Sequence, residues 1–281
     1  MKKIAITAAT LGLATTMSAN AADISTPPVY HAPEVTHHEV KSATGWYLRG
    51  DVGFAHHKLR RADYTVGGST NNFVTAKLKS SFSVGAGVGY QVTDRFRSDL
   101  TLDYIGKSDF TGSTVAGCGV GAGPTVADCT STDLTSWTAW SLMANAYVDV
   151  FTYGRVTGYV GAGLGATYIN WHELSNTACL TATPTTCDPT VTHGGAKGWR
   201  ATMALMAGAS VKINCALDAD LGYRYRYMAG GRFFQIASGA GPGVTRSLHS
   251  HEARAGLRYS FGGCDTHIPP YEPPTLPPVY K

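Results

Sequence analysis

Eight stretches of the chain alternate, residue by residue, between apolar and polar side chains, and each is about as long as a β-strand tilted across a bilayer. Alternation with period two gives an extended strand one oily face and one polar face. The stretches are 46–57, 78–90, 95–106, 136–150, 155–170, 198–213, 216–228 and 251–261. In the third, Phe96, Leu100, Leu102 and Tyr104 alternate with Arg97, Asp99 and Asp103. In the seventh, Leu221, Tyr223, Tyr225 and Tyr227 alternate with Asp218, Asp220, Arg224 and Arg226. An even number of strands running up and down brings both ends of the barrel to one side. Gln91–Asp94, Phe151–Gly154 and Ile213–Cys215 read as tight turns, and residues 58–77, 107–135, 171–197 and 230–250 as long polar loops. Short turns at one rim and long loops at the other mark a barrel inserted from the periplasm. The expected fold is all-β, an eight-stranded antiparallel up-and-down transmembrane β-barrel over residues 45–262. Proline cannot donate to a strand ladder, and none falls in a proposed strand: Pro124, Pro184, Pro189 and Pro242 lie in proposed loops and the others in the tails.

The same alternation would serve a soluble lipocalin-like barrel with its oily face inside, so the charges must decide the orientation. The polar faces carry Arg49, Asp51, Arg97, Asp99, Asp103, Asp149, Arg200, Lys212, Asp218, Asp220, Arg224, Arg226, Glu252, Arg254 and Arg258. If they faced bulk water, Trp46, Trp140, Trp199 and the three tyrosines of the seventh stretch would have to fit, with all the aliphatics, inside eight strands. A barrel of that size holds side-chain packing or one small ligand. The oily faces are therefore expected to touch lipid, with Trp46, Tyr90, Tyr104, Tyr168, Trp199 and Phe261 in interfacial girdles. The charged residues then line the lumen, where they must pair, because an unpaired buried charge is expensive. A mostly sealed barrel is expected, not a general diffusion pore.

The ends of the chain read differently. Lys2 and Lys3, an apolar stretch from Ile4 to about Met17, and Ala19-Asn20-Ala21 form a secretory signal over residues 1–21, with a mature start at Ala22-Asp23. No later run of some eighteen apolar residues suggests a membrane helix. Residues 22–44 and 263–281 are Pro-rich and are expected as extended periplasmic tails. Both contain Pro-Pro-Val-Tyr, at 27–30 and 277–280, which fits a spacer toward the cell wall better than a WW-domain ligand. Charged residues make up 15% of the chain and no basic patch interleaves with aromatics, which disfavours nucleic-acid binding.

The first stretch, Gly45-Trp46-Tyr47-Leu48-Arg49-Gly50-Asp51-Val52-Gly53, resembles the small outer-membrane barrels of alphaproteobacteria, the porin-family surface antigens with an OmpA-type transmembrane fold. Ser83-Val84-Gly85-Ala86-Gly87-Val88-Gly89-Tyr90 and the closing Ala255-Gly256-Leu257-Arg258-Tyr259-Ser260-Phe261 carry the same resemblance. Barrels of this kind commonly end at the terminal aromatic, whereas here a tail follows Phe261. The resemblance implies roles in envelope integrity and surface antigenicity. In some relatives a mature N-terminus beginning Ala-Asp is joined to peptidoglycan, which makes Ala22 a candidate attachment point.

Six cysteines in an exported chain suggest disulfides. The topology narrows the pairings: Cys118 with Cys129 in the second long loop, Cys179 with Cys187 in the third, and Cys215 with Cys264 at the periplasmic end of neighbouring strands. No CxxC spacing points to zinc or redox work. None of the ten histidines is expected in mid-strand; His37-His38, His56, His57, His249 and His251 are the candidates for haem or a transition metal, with polar surface the plainer reading and no cofactor expected. Some eight-stranded barrels modify lipid A with a serine, a histidine and a carboxylate. Leu248-His249-Ser250-His251-Glu252 is the nearest approach, but Ser250 alternates away from both neighbouring histidines, so no catalysis is expected. The reading is a monomeric structural barrel and surface antigen whose partners are outer-membrane lipid and lipopolysaccharide, with peptidoglycan a candidate partner and an ordinary cleavage remnant the plainer reading of Ala22-Asp23. The alternatives are an adhesin or haem receptor meeting a host or extracellular ligand through its loops, and a narrow channel.

Overall fold

The computed structural model describes residues 45–120 and 127–262. They form strands β1 (Gly45–Leu59), β2 (Ala62–Val66), β3 (Ser69–Asn72), β4 (Thr75–Leu78), β5 (Ser81–Gln91), β6 (Phe96–Ser113) and β7 (Val115–Cys118). There follow β8 (Ala127–Tyr153), β9 (Val156–Trp171), β10 (Leu174–Leu180), β11 (Val191–His193), β12 (Lys197–Lys212), β13 (Leu217–Phe234) and β14 (Ala240–Ser260). Eight of them close a ring of antiparallel pairs in the order β1, β5, β6, β8, β9, β12, β13, β14 and back to β1. Closure leaves no free edge, the condition for sheet to survive in hydrocarbon. The last seam runs from Tyr47 opposite Ser260 to Leu59 opposite Leu248, so the ring begins and ends at the short-turn rim.

The oily faces point out. Trp46, Val52, Phe82, Leu164 and Leu205 are each more than half exposed, whereas Arg97 and Arg224 are 2% and 1% exposed inside the ring. Aromatic pairs band both edges of this belt. Trp46 with Tyr90 and Tyr259 with Phe261 lie at the short-turn edge. Phe54 with Phe82, Tyr104 with Trp140, and Tyr168 with Trp199 lie at the other. Replacing Leu164 by Arg, near the middle of the belt, is expected to cost about 2–4 kcal/mol. Urea unfolding of the barrel in lipid vesicles would show this, with no change of that size for a crown position such as Thr111→Arg.

Beyond the outer girdle the strands do not stop, and here the expected loops are corrected. β6 and β8 stay paired through Gly112 opposite Asp133, β13 and β14 through Phe234 opposite Gly243, and β2, β3, β4, β7, β10 and β11 add hairpins to the same sheet. Much of 58–77, 107–135, 171–197 and 230–250 is therefore strand, a crown that prolongs the barrel. The cause is an inversion of polarity: above the girdle the outer face meets water and the inner face meets other side chains. Phe110, Trp137, Ile169 and Trp171 point in while Thr111 is exposed. Pro242 also needs correcting, because it lies within β14. It sits where the pairing of β14 with β2 slips between Ala240 and Gly243, a place that asks no ladder hydrogen from it.

Candidate functional site

The interior is filled in two storeys. The lower is built from inward positions of β1, β6, β8, β13 and β14. Arg97 on β6 pairs with Asp149 on β8, and its guanidinium lies over the rings of Tyr147 and Tyr159 at 5.0 and 4.6 Å. Arg258 pairs with Asp218 and Asp220 and lies over Tyr47. One layer up, Arg49 holds Asp51 and Asp99, each at 2.8 Å, and donates to the Tyr147 hydroxyl. At the centre Asp103 accepts from Arg224 at 2.8 Å, Arg226 at 3.1 Å and Arg254 at 3.4 Å. Glu252 accepts from Arg224 and from Ser83 Oγ, and Arg254 also reaches Asp51 at 3.0 Å. Glycines make room for these carboxylates: a methyl group at Gly85 would overlap Asp103, and one at Gly53 would overlap Glu252.

Thirteen of the fifteen expected lumen residues thus lie in ion pairs inside the ring, in a central cluster and two separate groups. Arg200 and Lys212 do not, and are corrected. Arg200 stands at the level of the outer girdle, where it donates to the Arg232 carbonyl at 2.9 Å. Lys212 is the last residue of β12 and is exposed at the rim, where water solvates its charge.

The upper storey was not expected from the sequence. Trp137, Trp171, Phe110, Phe233, Ile105, Ile169, Met228 and Leu248 form an apolar plug with Phe73 packed against it. Trp137 is fully buried, 5.9 Å from Trp171 and 4.9 Å from His57, ring centre to ring centre. Between the storeys runs a layer of hydroxyls in which Thr202 bonds Thr167, and Thr167 bonds Ser141, at 2.8 and 2.9 Å.

The histidines are also placed differently from expectation, since His249 and His251 lie in strand paired on both sides and His57 lies in strand paired across the β1–β14 seam. His57 points inward and bridges Ser81 Oγ at 2.9 Å and Ser250 Oγ at 3.1 Å. Ser250 does turn from His249 and His251, but meets His57 across the seam, a partner on another strand that local spacing could not show. His56 is exposed on the outside, 3.3 Å from Ser80 Oγ. His249 and His251 share that outward side and bond the hydroxyls of Tyr225 and Tyr223 at 2.5 and 2.6 Å. Among the described residues no group of three or more His, Cys, Asp or Glu is arranged to hold a metal ion.

Disulfides join Cys118 to Cys129 and Cys179 to Cys187 in the crown. Cys215 is disulfide-bonded too; its expected partner Cys264 lies outside the described residues, as do Ala22, His37 and His38. Between the crown hairpins and the plug is a cavity of about 200 Å³. Asp133 on β8 faces it, 2% exposed, accepting from Ser131 Oγ at 2.6 Å and Asn176 Nδ2 at 2.5 Å. Burial pushes its carboxyl above the ordinary range, against those two hydrogen bonds and the nearby His193.

The chain is similar to several known proteins. A Brucella abortus protein described only as uncharacterized is 33% identical over 280 residues, covering 89% of this chain and 95% of its own. A Rickettsia bellii protein named as a candidate adhesin is 26% identical over 229 residues, covering 77% of this chain and 88% of its own. Among solved structures, Neisserial surface protein A is 19% identical with a TM-score of 0.39, covering 77% of this chain and 97% of that one. OprG from Pseudomonas aeruginosa is 15% identical with a TM-score of 0.41, covering 79% and 97%. The Outer membrane protein beta-barrel domain family matches residues 8–261. With its closed ring, outward apolar belt and charged interior, the chain belongs to this family of bacterial outer-membrane barrels.

Proposed function

We propose that the protein is a sealed structural barrel that supports the outer membrane and presents its crown at the cell surface, with the short-turn rim and both tails in the periplasm. The observation that carries this reading is the double filling of the interior: Asp103 and its three arginines lock the lower half, and the plug around Trp137 fills the upper. Side chains held by ion pairs and close packing leave ions no wetted path and give the wall cross-braces. In planar bilayers the purified protein is expected to show no steady open level. A stable conductance step that scales with salt would defeat the sealed reading.

The N-terminal expectation belongs to the same proposal. Attachment of Ala22 to peptidoglycan would anchor the barrel to the wall, and mass analysis after muramidase digestion would reject it by finding Ala22 with a free amine. Presentation of an extracellular ligand site on the crown is a second reading. Its supports are the Rickettsia relative's name and the rigid hairpins that stand beyond the girdle.

A further inference from the structure

The crown cavity holds a buried carboxylate with no guanidinium or ammonium among its lining residues. Asp133 forms no ion pair among the described residues, and among those lining the cavity the one basic side chain is His193. A buried ionised group without a counter-charge is costly, and a neutral side chain of the same size would avoid that cost. The carboxylate does tie β8 to β10 through Asn176, yet an amide could make such a cross-strand bond without a charge. The same cavity is lined by Tyr64, Phe73 and Phe234. An anion and aromatic rings lining one cavity favour an organic cation, which gains an ion pair and a cation–π contact together.

We propose that this cavity binds a small organic ammonium ion, with its charged nitrogen on Asp133 and its apolar body against Phe73 and Phe234. A metal ion is a poor occupant, because the described residues bring no third ligating side chain to Asp133 and His193. The volume, about 200 Å³, falls below the ~300 Å³ at which pockets for drug-sized molecules begin. The occupant is therefore a monoamine of few atoms, not a peptide or a polyamine chain. The site lies on the outer side of the plug, so occupancy requires no passage through the barrel and is independent of whether the lumen conducts.

The test is calorimetric titration of the full-length mature protein, folded in detergent, with phenethylammonium and with its neutral counterpart 2-phenylethanol. Saturable binding of the ammonium is expected, at least about tenfold tighter than the alcohol, as the loss of a charge-assisted contact implies. Asp133→Asn should weaken phenethylammonium by a similar factor and leave 2-phenylethanol unchanged, with folding checked by gel mobility before and after boiling. Ala116→Trp, on the exposed wall of the cavity, should abolish binding of both by filling the space while leaving the carboxylate in place. Equal affinity for the two probes, unchanged ammonium binding in either variant, or no saturation at millimolar concentrations would each overturn the proposal.

Discussion

Asp103→Ala is expected to remove about 3–5 kcal/mol of folding stability, the usual consequence of deleting one partner of a buried ion pair. The effect should lie at the upper end of that range because Asp103 is shared. Its carboxylate accepts from Arg224 and Arg226 on β13 and from Arg254 on β14, three strands away around the wall. Without it, three guanidinium groups face one another in a space of low polarity with Glu252 and Asp51 as their remaining counter-charges. Urea unfolding in lipid vesicles, followed by tryptophan emission, would measure the loss. The control is joint replacement of Asp103, Glu252, Arg224 and Arg226 by apolar residues of similar size, which should cost far less than the single change, because these charges leave together and Arg254 keeps Asp51. A loss below about 1 kcal/mol for Asp103→Ala, the range of an exposed pair, would show that water reaches the centre of the lumen.

Trp137→Ala is expected to cost a comparable ~3–5 kcal/mol, by a different route. Trp137 is fully buried within the plug and packs against the rings of both His57 and Trp171. Its removal leaves a void that the ring of strands cannot close by collapsing, since hydrogen bonds on both sides of every strand hold its circumference. The cost should include the full cavity component and not only lost burial. The crown should loosen first, so limited proteolysis of the variant is expected to cut between β10 and β11 while the belt stays intact. An unchanged urea midpoint and cleavage pattern would show that the plug contributes little.

The sequence revealed the belt better than the crown, and the reason is physical. Between the girdles the outside is hydrocarbon, so Leu100, Leu102 and Leu164 must alternate with the charged or small residues that face inward. Charge on one parity and oil on the other is readable from one chain. Above the girdle the solvent changes and the code reverses. Trp137 keeps the parity of Asn145 along β8, but Phe110 stands on the opposite parity to Asp103, because β6 bulges between Ile105 and Ser108; in both strands the neighbours, Thr111, Ser136 and Thr138, are the polar ones. A reader following outward apolar residues sees the strand end where only its surroundings have altered. Two finer features were hidden for other reasons. His57 meets Ser250 through a contact 193 residues apart in the chain. Arg200 was assigned to the lumen by parity alone, but parity gives a direction and not a depth, and at the height of Arg200 the partner is a backbone carbonyl. The disulfide of Cys179 with Cys187 was legible because its two halves lie 8 residues apart in one hairpin.

The continuity of the crown with the barrel governs how another molecule can recognise this surface. In the crown Leu134 lies between Thr111 on β6 and Ser175 on β10, so a footprint a few residues wide gathers side chains from three distant parts of the chain. A binder selected on the folded protein therefore reads a discontinuous epitope, and short linear peptides cut from these segments would compete for it poorly. The hairpin tips differ: Gly67 and Gly68 turn with positive φ and have open space around them. Such tips are where an inserted tag, or the drift of an evolving lineage, can lengthen the chain without disturbing the ladder beneath.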